Sequence, residues 1–147
     1  MRYYLDTEFN GFGGELISLA LVRDDAKWVS YIFGCDDPTP WVAEHVIPNL
    51  KAGELSHDGV IGRRAAAFEI ITFIADDPDP VIVADWPEDI SHFCNLMLIR
   101  PGHMVGPKRL MFELIRVESY PTELVGAVQH NAWWDAMALR ARRQAES

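Results

Sequence analysis

The chain opens on a run in which apolar and acidic positions sort by face. Arg2-Tyr3-Tyr4-Leu5 reads as a buried strand that Asp6-Thr7-Glu8-Phe9 continues. Side chains alternate along a strand, so Asp6 and Glu8 share one face, roughly 7 Å apart. From Glu15 to Val22 the sequence is a near-continuous apolar run, and Arg23-Asp24-Asp25 marks a turn. A third strand pattern follows over Lys27-Trp28-Val29-Ser30-Tyr31-Ile32-Phe33. Three strands joined by short turns predict an antiparallel meander. Asp36-Asp37-Pro38-Thr39-Pro40 breaks the pattern. Trp41 to Leu50 predicts a helix, ended by Pro48.

Beyond a polar loop over 53–62, Ala67, Phe68, Ile71, Ile74 and Ala75 recur at helical spacing and predict a helix over 63–75. Ile70 and Phe73 add a second apolar side, so this helix is expected to be buried. Asp76-Asp77-Pro78-Asp79-Pro80 stops it. Val81-Ile82-Val83-Ala84 is short and wholly apolar, the signature of a strand covered on both faces. A helix over 90–99 with Phe93, Leu96 and Met97 inward comes next, then a Pro/Gly loop over 100–109. A last strand over 110–117, a long connection over 118–129 and a helix over 131–145 complete the chain. The order predicts one α/β domain over 1–147: a mixed five-stranded sheet, the antiparallel meander plus two further strands, flanked by helices.

Composition narrows the function classes. A formal net charge of −9 argues against a protein that coats long nucleic acid through a basic surface. No apolar run approaches the ~20 residues of a membrane span, and no basic-then-apolar leader opens the sequence. Cys35 and Cys94 lie far apart without metal-ligand spacing and read as free thiols, so the expected compartment is the cytoplasm.

The acidic residues carry the chemistry. Asp6 and Glu8 end the first strand, Asp85 and Asp89 follow the fourth, and Asp135 lies near the start of the last helix. Ligand sites on α/β sheets collect beyond the carboxyl ends of strands. Carboxylates gathered there cannot all ionise without cations. Two Mg²⁺ or Mn²⁺ ions about 4 Å apart would satisfy them and would clamp a phosphodiester. His130, five residues before Asp135, is suited to take a proton from an attacking water near neutral pH. Taken singly, Asp135 reads as a helix-dipole partner and His130 as an ordinary histidine; their joint pattern with Asp6 and Glu8 lifts both. Trp86, Trp133 and Trp134 read as packing residues, and His45, His57, His92 and His103 as structural or solvated.

Asp6-Thr7-Glu8, Gly11-Phe12 and His130-x-Ala132-x-x-Asp135 together resemble the DEDD-type 3′–5′ exonucleases of the histidine-containing (DEDDh) branch. That family includes oligoribonuclease, ribonuclease T and the proofreading subunit of bacterial replicases. The resemblance implies a ribonuclease-H-like fold and two Mg²⁺ or Mn²⁺ ions held by Asp6, Glu8, Asp89 and Asp135. It implies His130 as general base, and Phe9, Gly11 and Phe12 against the substrate, with Phe12 wedged between bases. The second motif departs from the family pattern: placing Asp89 on the ligand position puts Asp85 where the family has Asn, and Asp85 as the ligand is the other placement. A homodimer is a further expectation from the family.

The expected activity is removal of nucleoside 5′-monophosphates from the 3′ end of short or single-stranded RNA. A 3′–5′ DNA exonuclease is the alternative within the class, since stacking and backbone contacts tolerate either sugar. A non-catalytic nucleic-acid-binding module on the same fold is the alternative outside it.

Overall fold

The computed structural model describes residues 1–116 and 124–146. Its main sheet has five strands: β1 (Arg2–Phe9), β2 (Leu16–Arg23), β3 (Trp28–Ile32), β4 (Val81–Ala84) and, after a two-stranded hairpin of β5 (Leu98–Arg100) and β6 (His103–Met104), β7 (Met111–Leu114). The order across the sheet is β3-β2-β1-β4-β7. The meander is antiparallel, while β4 and β7 join in parallel. The sheet is therefore mixed, as the element order predicts.

Helices cover both faces because the strands are apolar on both. On one side α2 (Arg63–Ile74) and α3 (Pro87–Met97) pack on Tyr3, Leu5, Leu19 and Leu21. On the other, α4 (Ala132–Ala145) buries Ala132 and Ala136 against Ala20 and Val22, and Leu139 against Tyr4 and Val83. The strand alternation thus sorts β1: Tyr3, Leu5 and Thr7 face α2 and α3, while Tyr4, Asp6 and Glu8 face α4.

Four expectations change. The helix expected over 41–50 is two pieces, α1 (Pro40–His45) and a 3₁₀ turn (Ile47–Asn49). Thr39 caps α1 and Pro40 starts it, whereas Pro48 is accommodated early in the 3₁₀ turn, where its missing N–H is harmless. The helix expected over 90–99 begins at Pro87, again a proline in the first turn, and stops at Met97. The loop expected over 100–109 contains the β5–β6 hairpin, whose reversal passes through Gly102 at φ +75°. The last strand stops at Leu114; Val117 and the first part of the long connection lie outside the described residues. Among the described residues no helix is long and apolar enough to cross a membrane.

Candidate metal centre

Register brings the acidic residues together. Tyr4 of β1 pairs with Val83 of β4 in parallel; two residues further along each strand come Asp6 and Asp85. Because α3 starts at Pro87, Asp89 falls in its first turn and is directed back at β1. Asp135 sits in the first turn of α4, on the face that Asp6 and Glu8 share. The result is two carboxylate groups, Asp6/Glu8/Asp135 and Asp6/Asp85/Asp89. Within each group the candidate ligand atoms lie within 4.8 Å of one another, and Asp6 belongs to both.

Asp89 and Asp85 are therefore not alternatives in space: both stand beside Asp6. Asp89 is only 2% exposed and accepts a 2.6 Å hydrogen bond on Oδ1 from the Thr7 hydroxyl. Sequence reasoning missed Thr7. Its position on the opposite face from Asp6 reads as core, and only the packing of α3 turns that face into support for a site residue.

The electrostatics follow from crowding. Burial pushes the Asp6 carboxyl well above the usual range, and the charges of Asp135, Asp89, Glu8 and Asp85 push it further. Burial, then Asp135, does the same to Glu8. Asp89 is raised to about 8, chiefly by burial; the Thr7 hydrogen bond opposes this and Asp85 adds to it. Asp135 is raised to about 7, again by burial, against a hydrogen bond from Glu8. Protons here take the place that positive charge would otherwise fill.

Comparison of the chain with protein-family models gives no match, and neither does comparison with curated proteins.

The donor set suits a hard divalent cation. Every candidate ligand is a carboxylate oxygen. Asp6 Oδ2 is buried with no hydrogen-bond partner among the described residues, an arrangement that costs free energy unless a cation occupies it. Asp6, Glu8 and Asp135 could hold one ion, and Asp6, Asp85 and Asp89 a second.

A cavity of about 640 Å³ opens over the carboxylates. His130 lines it, as do Phe9, Gly11 and Phe12, all four named from the sequence. Phe12 is 82% exposed and its ring lies 5.8 Å from that of Trp86. Trp86 and Trp41, which the sequence does not single out for the site, complete the aromatic wall. The His130 ring meets Trp41 edge-on at 5.0 Å and lies 6.2 Å from His45. Burial lowers the His130 pKa, and the nearby His45 lowers it further.

His130 has φ +59°, the left-handed region that only a few residue types adopt readily. The next residue fixes this geometry. Asn131, 4% exposed, caps α4 by accepting from the Trp134 N–H at 3.1 Å, and its amide donates to the Asn49 carbonyl at 2.8 Å. Gly53 is packed so closely on this turn that a Cβ there would overlap Asn131 Oδ1 and crowd the Trp133 ring. Asn131→Ala removes the cap and leaves the Asn49 carbonyl without its donor. It is expected to destabilise the fold by about 2 kcal/mol, read as a shift in the midpoint of urea unfolding. An unchanged midpoint would show that the cap is replaceable.

Proposed function

We propose that the protein is a two-metal 3′–5′ exonuclease that releases nucleoside 5′-monophosphates from short or single-stranded RNA. The observation that carries this reading is the sharing of Asp6 between two carboxylate groups, beneath a cavity that also holds His130 and an aromatic wall. A common carboxylate between two sets of oxygen donors suits a pair of cations about 4 Å apart. The strand order, three antiparallel strands extended by two parallel ones, is compatible with a ribonuclease-H-like sheet.

When bound, the two cations supply activation of the attacking water and neutralisation of the leaving 3′-oxygen. The chain supplies the rest. Thr7 fixes the Asp89 carboxylate by donating to its Oδ1. His130, kept neutral near pH 7 by burial and by His45, accepts the proton of the attacking water. Phe12 offers an exposed ring face on which a terminal base stacks, a contact that does not depend on sequence, while Arg116 lies over the Trp86 ring beside it at 5.0 Å.

The test is a panel of 5′-labelled RNA and DNA oligomers with Mg²⁺, Mn²⁺ or chelator. Stepwise shortening from the 3′ end, faster on RNA and absent in chelator, is the expected result. Intact oligomers in both metals would overturn the proposal. The role of His130 has its own test in His130→Asn, since Asn tolerates the left-handed backbone at this position. This variant is expected to lower kcat by ~10²–10⁴-fold and to keep the rise in melting temperature that Mn²⁺ produces. A kcat within a few-fold of the parent would remove His130 as the base.

A further inference from the structure

Beside the carboxylate cavity lies a second one of about 700 Å³, lined by α2, α3 and the loop between β1 and β2. The loop separates the two: Gly11 and Phe12 face the first, Gly13 and Gly14 the second. The wall is thin. Phe9, on the first cavity, stacks at 4.9 Å on His92, on the second.

The second cavity carries two arginines in a chain of net charge −9. Arg2, Arg23, Arg109, Arg142 and Arg143 each pair with a carboxylate. Arg63 and Arg64, which line this cavity, make no ion pair among the described residues. Arg63 donates to the Leu16 carbonyl at 2.8 Å and lies over the Phe33 ring. Arg64 makes a single long hydrogen bond, 3.4 Å, to the Ile99 carbonyl. A guanidinium carries five N–H donors, so both keep free donors for a ligand. The lining also carries two carboxylates, each with one neutral donor: Glu88 accepts from the Gly13 N–H of the same cavity at 3.0 Å, and Glu15 accepts from the Cys35 thiol at 3.4 Å. Asn95 and Ser91 add neutral polar groups.

We propose that this cavity is a phosphate subsite that receives the backbone of the substrate a few nucleotides 5′ of the scissile bond, with Arg64 as its main contact and Arg63 as support. The inference rests on the exonuclease reading and adds to it a dependence on substrate length. ApA has only the scissile phosphate and nothing to place in the second cavity. Each added nucleotide brings a phosphate closer to Arg64, until the subsite is filled and further length adds nothing.

The experiment compares parent, Arg64→Gln and Arg64→Lys on unlabelled ApA and on tri-, tetra- and hexa-adenylate, following AMP release with Mn²⁺. Anisotropy of 5′-fluorescein hexa-adenylate in chelator gives binding without cleavage. Arg64→Gln is expected to leave kcat/KM for ApA within twofold and to lower it about 5–10-fold for tetramer and hexamer, through KM. The slope of log affinity against log salt for the hexamer should fall by about 1, and Arg64→Lys should restore it. An equal loss on every length, or no loss on any, would overturn the subsite. Should the parent cleave nothing, the exonuclease reading fails and the length dependence of cleavage with it; phosphate binding by Arg64 then stands if Arg64→Gln still weakens hexamer binding, and falls if binding is unchanged.

Discussion

Asp6→Asn is expected to abolish mononucleotide release while raising the melting temperature of the metal-free protein. The two effects come from one atom group. Asp6 is common to both carboxylate groups, so its neutralisation weakens both candidate ion sites at once. The loss should exceed ~10³-fold in kcat, the scale seen when a group that stabilises transition-state charge is removed. Without metal, the same carboxylate is buried, faces Asp135, Asp89, Glu8 and Asp85, and leaves Oδ2 unpaired. An amide of the same shape needs no proton to be neutral and can donate to those neighbours. Relief of one unsatisfied buried polar group is worth about 1–3 kcal/mol, or roughly 3–8 °C for a chain of this size. Gain of stability with loss of activity is the mark of a functional site that strains the fold. A variant that lost activity and stability together would show that Asp6 is needed for folding instead.

The second large effect is on pH. Asp89 is raised to about 8 and Asp135 to about 7, from an ordinary value of 3.8. Between pH 4 and 8 the folded metal-free protein therefore binds more protons than the unfolded chain. Stability from these groups is fully present below their unfolded pKa and is lost as pH rises through the folded values. Melting temperature in chelator should thus fall from pH 5 to pH 8. Saturating Mn²⁺ replaces the protons, so the fall should flatten and the gain from metal should grow with pH. At a hundred times Kd the gain is about 2.7 kcal/mol, or roughly 5–10 °C at pH 8. Melts at pH 5, 6.5 and 8, with chelator and with Mn²⁺, test this. Parallel curves with no metal effect would mean that no cation binds among the carboxylates.

Much of this was legible in the residues because it is local. Alternation on β1 puts Asp6 and Glu8 on one face before any fold is known. The wholly apolar Val81-Ile82-Val83-Ala84 announces a strand buried from both sides, and β4 is one. The spacing of His130 and Asp135 places one in the loop before the last helix and the other near its start, where they are. What was hidden depends on packing between distant segments. Thr7 looks like core until α3 brings Asp89 to its hydroxyl. Asp85 and Asp89 compete for one role in the linear pattern, yet the strand end and the helix start set both beside Asp6. Trp41 and Trp86 have the composition of core residues, and only their exposure on the cavity gives them another reading. The β5–β6 hairpin escaped because Arg100-Pro101-Gly102-His103 has the residues of a loop and closes only two cross-strand pairs.

Gly53 extends the reach of the site beyond the residues that line it. It does not line the carboxylate cavity, yet its missing side chain is the space into which Asn131 and Trp133 fit. A saturation library scored for turnover would flag this position as intolerant of even one added methyl, and a map of such sensitivity would place a hot spot on a segment outside the carboxylate cavity.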